Sequence, residues 1–130
     1  MKRRSYLKAT LAALAGIQGI RAQGGKNPIV LHVDLAVDPA REQEMLHNFH
    51  TIFKPAAVKF PGYIDVKMLK LRSALQGSAP PGLNYRFQLT YQTEEQRQKW
   101  VASDVHKKAW PTIEKTLSSK NYTVLLFDSM

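Results

Sequence analysis

The stretch that decides the fold is Pro28-Ile-Val-Leu-His-Val-Asp-Leu-Ala-Val37, followed at once by Asp38-Pro39. Ile29, Leu31, Val33, Leu35 and Val37 alternate with Val30, His32, Asp34 and Ala36. A period of two marks a β-strand, because successive side chains leave a strand on opposite faces. Asp38 and Pro39 then suit a helix start: the carboxylate can accept an orphan N–H, and proline supplies a preset φ. Over residues 39 to about 57, Met45, Leu46, Phe49, Ile52, Phe53 and Ala56 fall on one helical stripe. Pro55 sits in the last turn of that helix and is expected to bend or end it.

Working outward, Pro61-Gly62 reads as a turn and residues 63 to about 75 as a second strand. There Ile64, Val66 and Met68 take one side, and Tyr63, Asp65, Lys67, Leu69 and Leu71 the other. Residues 76–83, rich in Gly and Pro, form a loop. Residues 84–92 alternate again, with Tyr85, Phe87, Leu89 and Tyr91 on the oily face. Thr93-Glu94-Glu95-Gln96 opens a helix that runs through Trp100 and Val101. Ser103 caps another, with Val105, Ala109, Ile113 and Leu117 a turn apart and a kink or restart expected at Trp110-Pro111. Residues 121–128 make a last strand, almost continuously apolar from Val124 to Phe127.

The order strand–helix–strand–strand–helix–strand predicts an α+β, ferredoxin-like βαββαβ fold: an antiparallel sheet with helices on one face. The strands are apolar or mixed on both sides, so a partner is expected to cover the second face. A symmetric homodimer is the commonest solution.

With 130 residues the chain is one domain, and 44% apolar with 22% charged residues is the range of a folded globular protein. There is no cysteine, which excludes disulfides, thiolate nucleophiles, iron–sulfur clusters and cysteine-based zinc sites. The net charge of +9 is uneven: Lys2, Arg3, Arg4, Lys8 and Arg21 supply more than half of it, and residues 1–22 contain no acid. Lys67, Lys70 and Arg72 read as protection of a strand edge. No basic stripe interleaved with aromatics appears, so no nucleic-acid partner is expected.

Residues 1–22 join a basic start to a short apolar run, Ala9-Thr-Leu-Ala-Ala-Leu-Ala-Gly-Ile17, and a small-residue exit at Ala22. This is the plan of a secretory signal peptide. The run is too short for a stable membrane span. Arg3-Arg-Ser-Tyr-Leu-Lys8 resembles the twin-arginine (Tat) export motif of bacteria. That resemblance implies passage through the Tat translocase as a folded protein, and a periplasmic or extracellular location for a mature domain of residues 23–130.

Trp100-Val-Ala-Ser-Asp-Val-His106, preceded by Tyr91-Gln-Thr-Glu-Glu95, is the most specific stretch of that domain. With the step Phe60-Pro-Gly-Tyr63, it resembles the antibiotic biosynthesis monooxygenase (ABM) family of the dimeric α/β-barrel superfamily. The resemblance implies a homodimer, with a pocket in each chain between helices and sheet. It also implies a small monooxygenase that oxidises an aromatic, quinol-like compound with O₂ and holds no tightly bound cofactor. A non-catalytic domain holding a small apolar ligand, and a haem-binding or haem-degrading protein, are the alternatives. The haem-degrading branch uses a tryptophan and a proximal histidine near this helix and an asparagine on the first strand. Trp100 matches the tryptophan, but Trp110 stands where the histidine belongs, and an indole N–H cannot ligate iron. On the first strand His32 or Val33 stands near the asparagine's place.

Under the oxygenase reading, His106 and His32 are the candidate acid–base groups, because histidine titrates near neutral pH. Asp34, on the same strand face as His32, is the candidate to orient it, with Arg86 and Gln88 expected opposite. Trp100, Trp110, Tyr63 and Phe49 are the candidate walls for a flat apolar substrate. The plainer alternatives are a half-exposed helix histidine, a cross-strand polar cluster, and core aromatics. Glu44-x-x-His47 has metal-ligand spacing, but no second such motif exists, so no metal site is expected.

Overall fold

The computed structural model describes residues 27–130, so the leader read in residues 1–22 lies outside the described residues. Four strands appear in the expected order: β1 (Ile29–Leu35), β2 (Tyr63–Lys70), β3 (Tyr85–Tyr91) and β4 (Thr123–Asp128). They form one antiparallel sheet in the spatial order β2-β3-β1-β4. Helices α1 (Glu42–Asn48) and α2 (Lys54–Val58) lie between β1 and β2, and α3 (Glu94–Ala102) and α4 (Asp104–Glu114) between β3 and β4. This is the ferredoxin-like α+β arrangement.

The alternation in β1 and β3 decides which side is covered. Their register pairs Ile29 with Tyr91, Leu31 with Leu89, Val33 with Phe87 and Leu35 with Tyr85, all buried. These residues meet Met45, Phe49, Phe53, Ala57, Trp100, Ala109 and Ile113 from the helices. Burying each of the larger side chains contributes about 1.5–3 kcal/mol. The opposite face carries the pairs His32–Gln88 and Asp34–Arg86.

Three departures from the sequence reading stand out, the first two of them local backbone irregularities. First, the register shifts between Tyr63 and Asp65 in β2. That bulge brings Tyr63 opposite Tyr91 and leaves Ile64 exposed, whereas a strict period of two would send Ile64 inward. Second, the first helix does not end at Pro55 but continues to Val58. It widens into a π-helical turn over Phe49–Phe53, where the Lys54 N–H donates to the Phe49 carbonyl. Proline lacks an N–H and crowds the carbonyl four residues back, and the wider turn relieves both demands. The turn also holds one extra residue, so the buried stripe continues at Phe53 and Ala57 and Ile52 faces out. Third, α4 passes through Pro111 without restarting and ends at Glu114. Leu117 therefore lies beyond the helix, bridged to Val37.

Strand β2 stops at Lys70, and residues 71–83 are loop. Gly62 fixes the turn before β2. Its φ is +92°, and a Cβ there would meet the Gln96 side chain at 2.5 Å. Only glycine accepts both conditions at low cost.

Strand β4 differs from the others. Among the described residues it pairs only with β1, and Val124, Leu125, Leu126 and Phe127 are 43–51% exposed. An apolar run of this kind suits a strand covered on both faces. None of the helices among the described residues is long and apolar enough to cross a membrane.

Candidate active site

The link between α3 and α4 builds the site. Ser103 leaves the helical conformation (φ −74°, ψ 153°) and its hydroxyl makes two hydrogen bonds. It donates to the Trp100 carbonyl at 2.6 Å and accepts from the His106 N–H at 3.2 Å. One side chain thus ends α3 and caps α4. Trp100 and His106 are brought side by side, their ring centroids 5.2 Å apart and nearly perpendicular. One turn further, Trp110 lies parallel to the His106 ring at 6.5 Å. Phe53, held by the π-helical turn, packs edge-on against Trp100 and Trp110.

These rings surround a cavity of about 190 Å³ between helices and sheet. Leu31, Val33, Phe87 and Leu89 form its floor, and Tyr122 and Val124 its rim at the start of β4. An apolar cavity of ~150 Å³ holds one benzene ring, and drug-sized ligands need ~300 Å³ or more. The space here suits a single aromatic ring. A wider cleft of about 720 Å³ at the end of the sheet is lined by residues such as Glu95, Asp128 and Met130. Its lining has neither histidine nor aromatic groups, so it lacks a stacking wall and a neutral base for a ring.

His106 is the chemically free group of the cavity. Only its backbone N–H is hydrogen-bonded, and neither ring nitrogen has a protein partner among the described residues. Burial, and then the nearby Arg97 charge, push its pKa below the ordinary value of 6.5. At neutral pH the ring is therefore uncharged and has a lone pair to accept a proton. The other polar groups have protein partners, though not for every donor. The Trp110 Nε1–H donates to the Tyr122 hydroxyl at 3.1 Å, which donates to Glu114 at 2.8 Å. Arg97 forms a two-pronged pair with Glu94, both contacts at 2.6 Å.

The residues singled out in the sequence fall into three places. His106, Trp100 and Trp110 come together in the cavity. Phe49 is buried in the core beside it, against Phe53 and Phe87, and does not line it. Tyr63 packs at the end of the sheet, opposite Tyr91. His32 and Asp34 lie on the uncovered face of the sheet, away from His106. There His32 Nε2 lies 3.0 Å from the Gln88 side-chain oxygen, and Asp34 accepts two bonds from Arg86 at 2.6 and 3.1 Å. Asp34 thus holds Arg86 and does not orient His32. The expected cross-strand neighbours are present, but they satisfy one another.

Arg97, Tyr122, Phe53 and Phe87 also line the cavity and were not singled out. Arg97 had a usable signal: it is one turn after Glu94 and one turn before Trp100. Tyr122 had none, because it meets Trp110 only through the tertiary fold.

The residues do not fit a haem. Trp110 offers a hydrogen-bonded indole where a proximal ligand would be needed, His106 lies between two indoles, and the cavity is too small. Among the described residues no three of His, Asp and Glu gather to hold a metal ion, and His47 and His50 belong to no such cluster.

No family model matches this chain, and no curated protein matches it. Solved structures do. One, from Caulobacter crescentus, is a candidate antibiotic biosynthesis monooxygenase with 17% identity and a TM-score of 0.64, covering 81% of this chain and 92% of that one. A second candidate of that name, from Bordetella bronchiseptica, has 12% identity and a TM-score of 0.65, covering 81% and 99%. A dimeric ferredoxin-like protein of unknown function from a Jannaschia species has 14% identity and a TM-score of 0.66, covering 78% and 99%. At such identities the likeness is one of fold. Sheet order, helix layer and neighbours agree: the chain has the ferredoxin-like fold shared by ABM-like structures.

Proposed function

We propose that this protein is a small oxygenase that binds a single-ring, quinol-like aromatic and oxidises it with O₂ without a tightly bound cofactor. One observation carries the reading: an uncharged, unpartnered His106 faces a cavity of one-ring size walled by Trp100, Trp110 and Phe53. The fold neighbours named as candidate monooxygenases support it.

The chemistry starts with a proton. A ring hydroxyl passes its hydrogen to His106, and the ring becomes an electron-rich anion able to reduce O₂. The ring then loses two hydrogens and gains one oxygen atom, and the second oxygen leaves as water. The substrate supplies all four electrons. A positioned base contributes ~10²–10⁴-fold to such a step.

Saturable O₂ uptake above the uncatalysed background, with single-ring hydroquinols, is the expected result. Binding of those rings without uptake would favour the second reading, a small-ligand carrier, which the mostly apolar cavity walls suit. No binding and no uptake would remove both.

The working form is a homodimer. Apolar β4, bare on both faces, and an uncovered sheet face whose polar groups are already paired suit a second copy. Sedimentation at twice the chain mass is expected, and a monomer at micromolar concentration would contradict it. Export through the Tat translocase to the periplasm or beyond completes the reading. Arg3→Lys with Arg4→Lys should retain the chain in the cytoplasm.

A further inference from the structure

Arg97 presents a charge to the cavity that the proton step above does not use. Its side chain is only 17% exposed, and Glu94's is 33% exposed. Nε and Nη2 are committed to Glu94, which leaves Nη1 without a protein acceptor among the described residues. The guanidinium is planar and permanently charged, so its free edge is a fixed donor. It lines the same cavity as His106.

The groups that face the space are few. From α3 there is Arg97, with Glu94 behind it; from α4, His106; from the rim, Tyr122, with Glu114 behind it. His106 is uncharged and Tyr122 already donates to Glu114, so among the described residues Arg97 brings the only formal charge to the lining. In an apolar enclosure one cation raises the affinity for an anion far more than it would in water. Glu94 tempers that charge without cancelling it at the cavity.

We infer that Arg97 is a specificity-determining residue: the cavity favours the ionised form of its single-ring ligand, whether a ring carboxylate or the phenolate that the proton step leaves, held at Nη1, with Glu94 setting the strength of the preference. The assignment rests on this cavity being the ligand site proposed above, but it needs no turnover.

The test uses 4-nitrophenol, whose absorbance separates phenol from phenolate and which ionises near neutral pH. It is bound to the whole protein without oxygen, at a fixed pH below the dye's own midpoint. The bound phenolate-to-phenol ratio should exceed that of free dye at least ~10-fold, a one-unit displacement of its pKa. Arg97→Gln should bring the ratio to the free-dye value or lower. Arg97→Lys, which keeps the charge, should retain most of it. Glu94→Gln should raise it above wild type, an increase that a merely structural Arg97–Glu94 pair would not produce. Absence of dye binding, an unshifted ratio in wild type, or a shift that survives Arg97→Gln overturns the assignment. Hydroquinol oxidation with no such shift would overturn it alone and leave the oxygenase reading standing. A shift without oxidation would do the reverse.

Discussion

The two faces of β1 place two histidines in opposite situations. His32, on the uncovered face, has its hydrogen bond to Gln88 and packs 5.0 Å from the Phe127 ring. Beside it Asp34 and Arg86 satisfy each other. His106, on the helix side, has aromatic neighbours and, among the described residues, no hydrogen-bond partner for its ring. A polar group whose bonds are all made holds a structure together. One left half-buried without a protein partner remains available to whatever enters beside it. The contrast separates the candidate base from the candidate that resembles one.

The largest expected difference between the faces is in stability. Trp100 is fully buried, so Trp100→Ala should destabilise by ~3–5 kcal/mol. Leu125→Ala on the uncovered side of β4 should cost the isolated chain under ~1 kcal/mol. Urea titrations of both at low concentration would check this, and equal losses would mean β4 is as buried as the core. Activity comes next. His106→Ala should lower turnover at least ~100-fold, and His32→Gln less than ~3-fold. A comparable loss in both would return His32 to the mechanism.

The pH response is smaller and has a defined sign. Folded His106 has a pKa below its unfolded value of 6.5, so between the two values the unfolded chain binds more protons. Stability should therefore rise with pH through that window, and its His106→Gln variant should lose that slope. Turnover should fall on the acid side of the same lowered value. The smallest effect is expected at Tyr91, whose buried hydroxyl lacks a protein partner among the described residues. Burial also pushes its pKa well up. Tyr91→Phe should be neutral or stabilising by up to ~1 kcal/mol, read as a rise in Tm. A marked loss would reveal a hidden partner for that oxygen.

The sequence revealed most of the sheet because β1 and β3 alternate strictly, and strict alternation leaves one arrangement in which both oily faces meet. It could not say which side of the sheet the site would occupy. Period two sorts His32 from Leu31, but only the helix connections decide which of them is covered. Irregularities were hidden for a similar reason. An extra residue in a π turn or a bulge leaves composition unchanged, so Ile52 and Ile64 each looked as good a core residue as its neighbour. The Trp100–Ser103–His106 spacing was legible because a cap and two helical turns suffice to place it. Arg97 could have been found by the same arithmetic, while Tyr122 required the fold.

The Ser103 hydroxyl has a consequence for how the site could change over time. Because the indole and imidazole are positioned by a hydroxyl three residues from each, their geometry is inherited as one short cassette. The floor beneath them, drawn from β1 and β3, comes from distant parts of the chain. Substitutions there can reshape the space for a different ring without disturbing how the two heterocycles face each other. The fit of the space to a ring's shape is thereby carried on pieces of sequence that can mutate separately from the segment that sets the heterocycles.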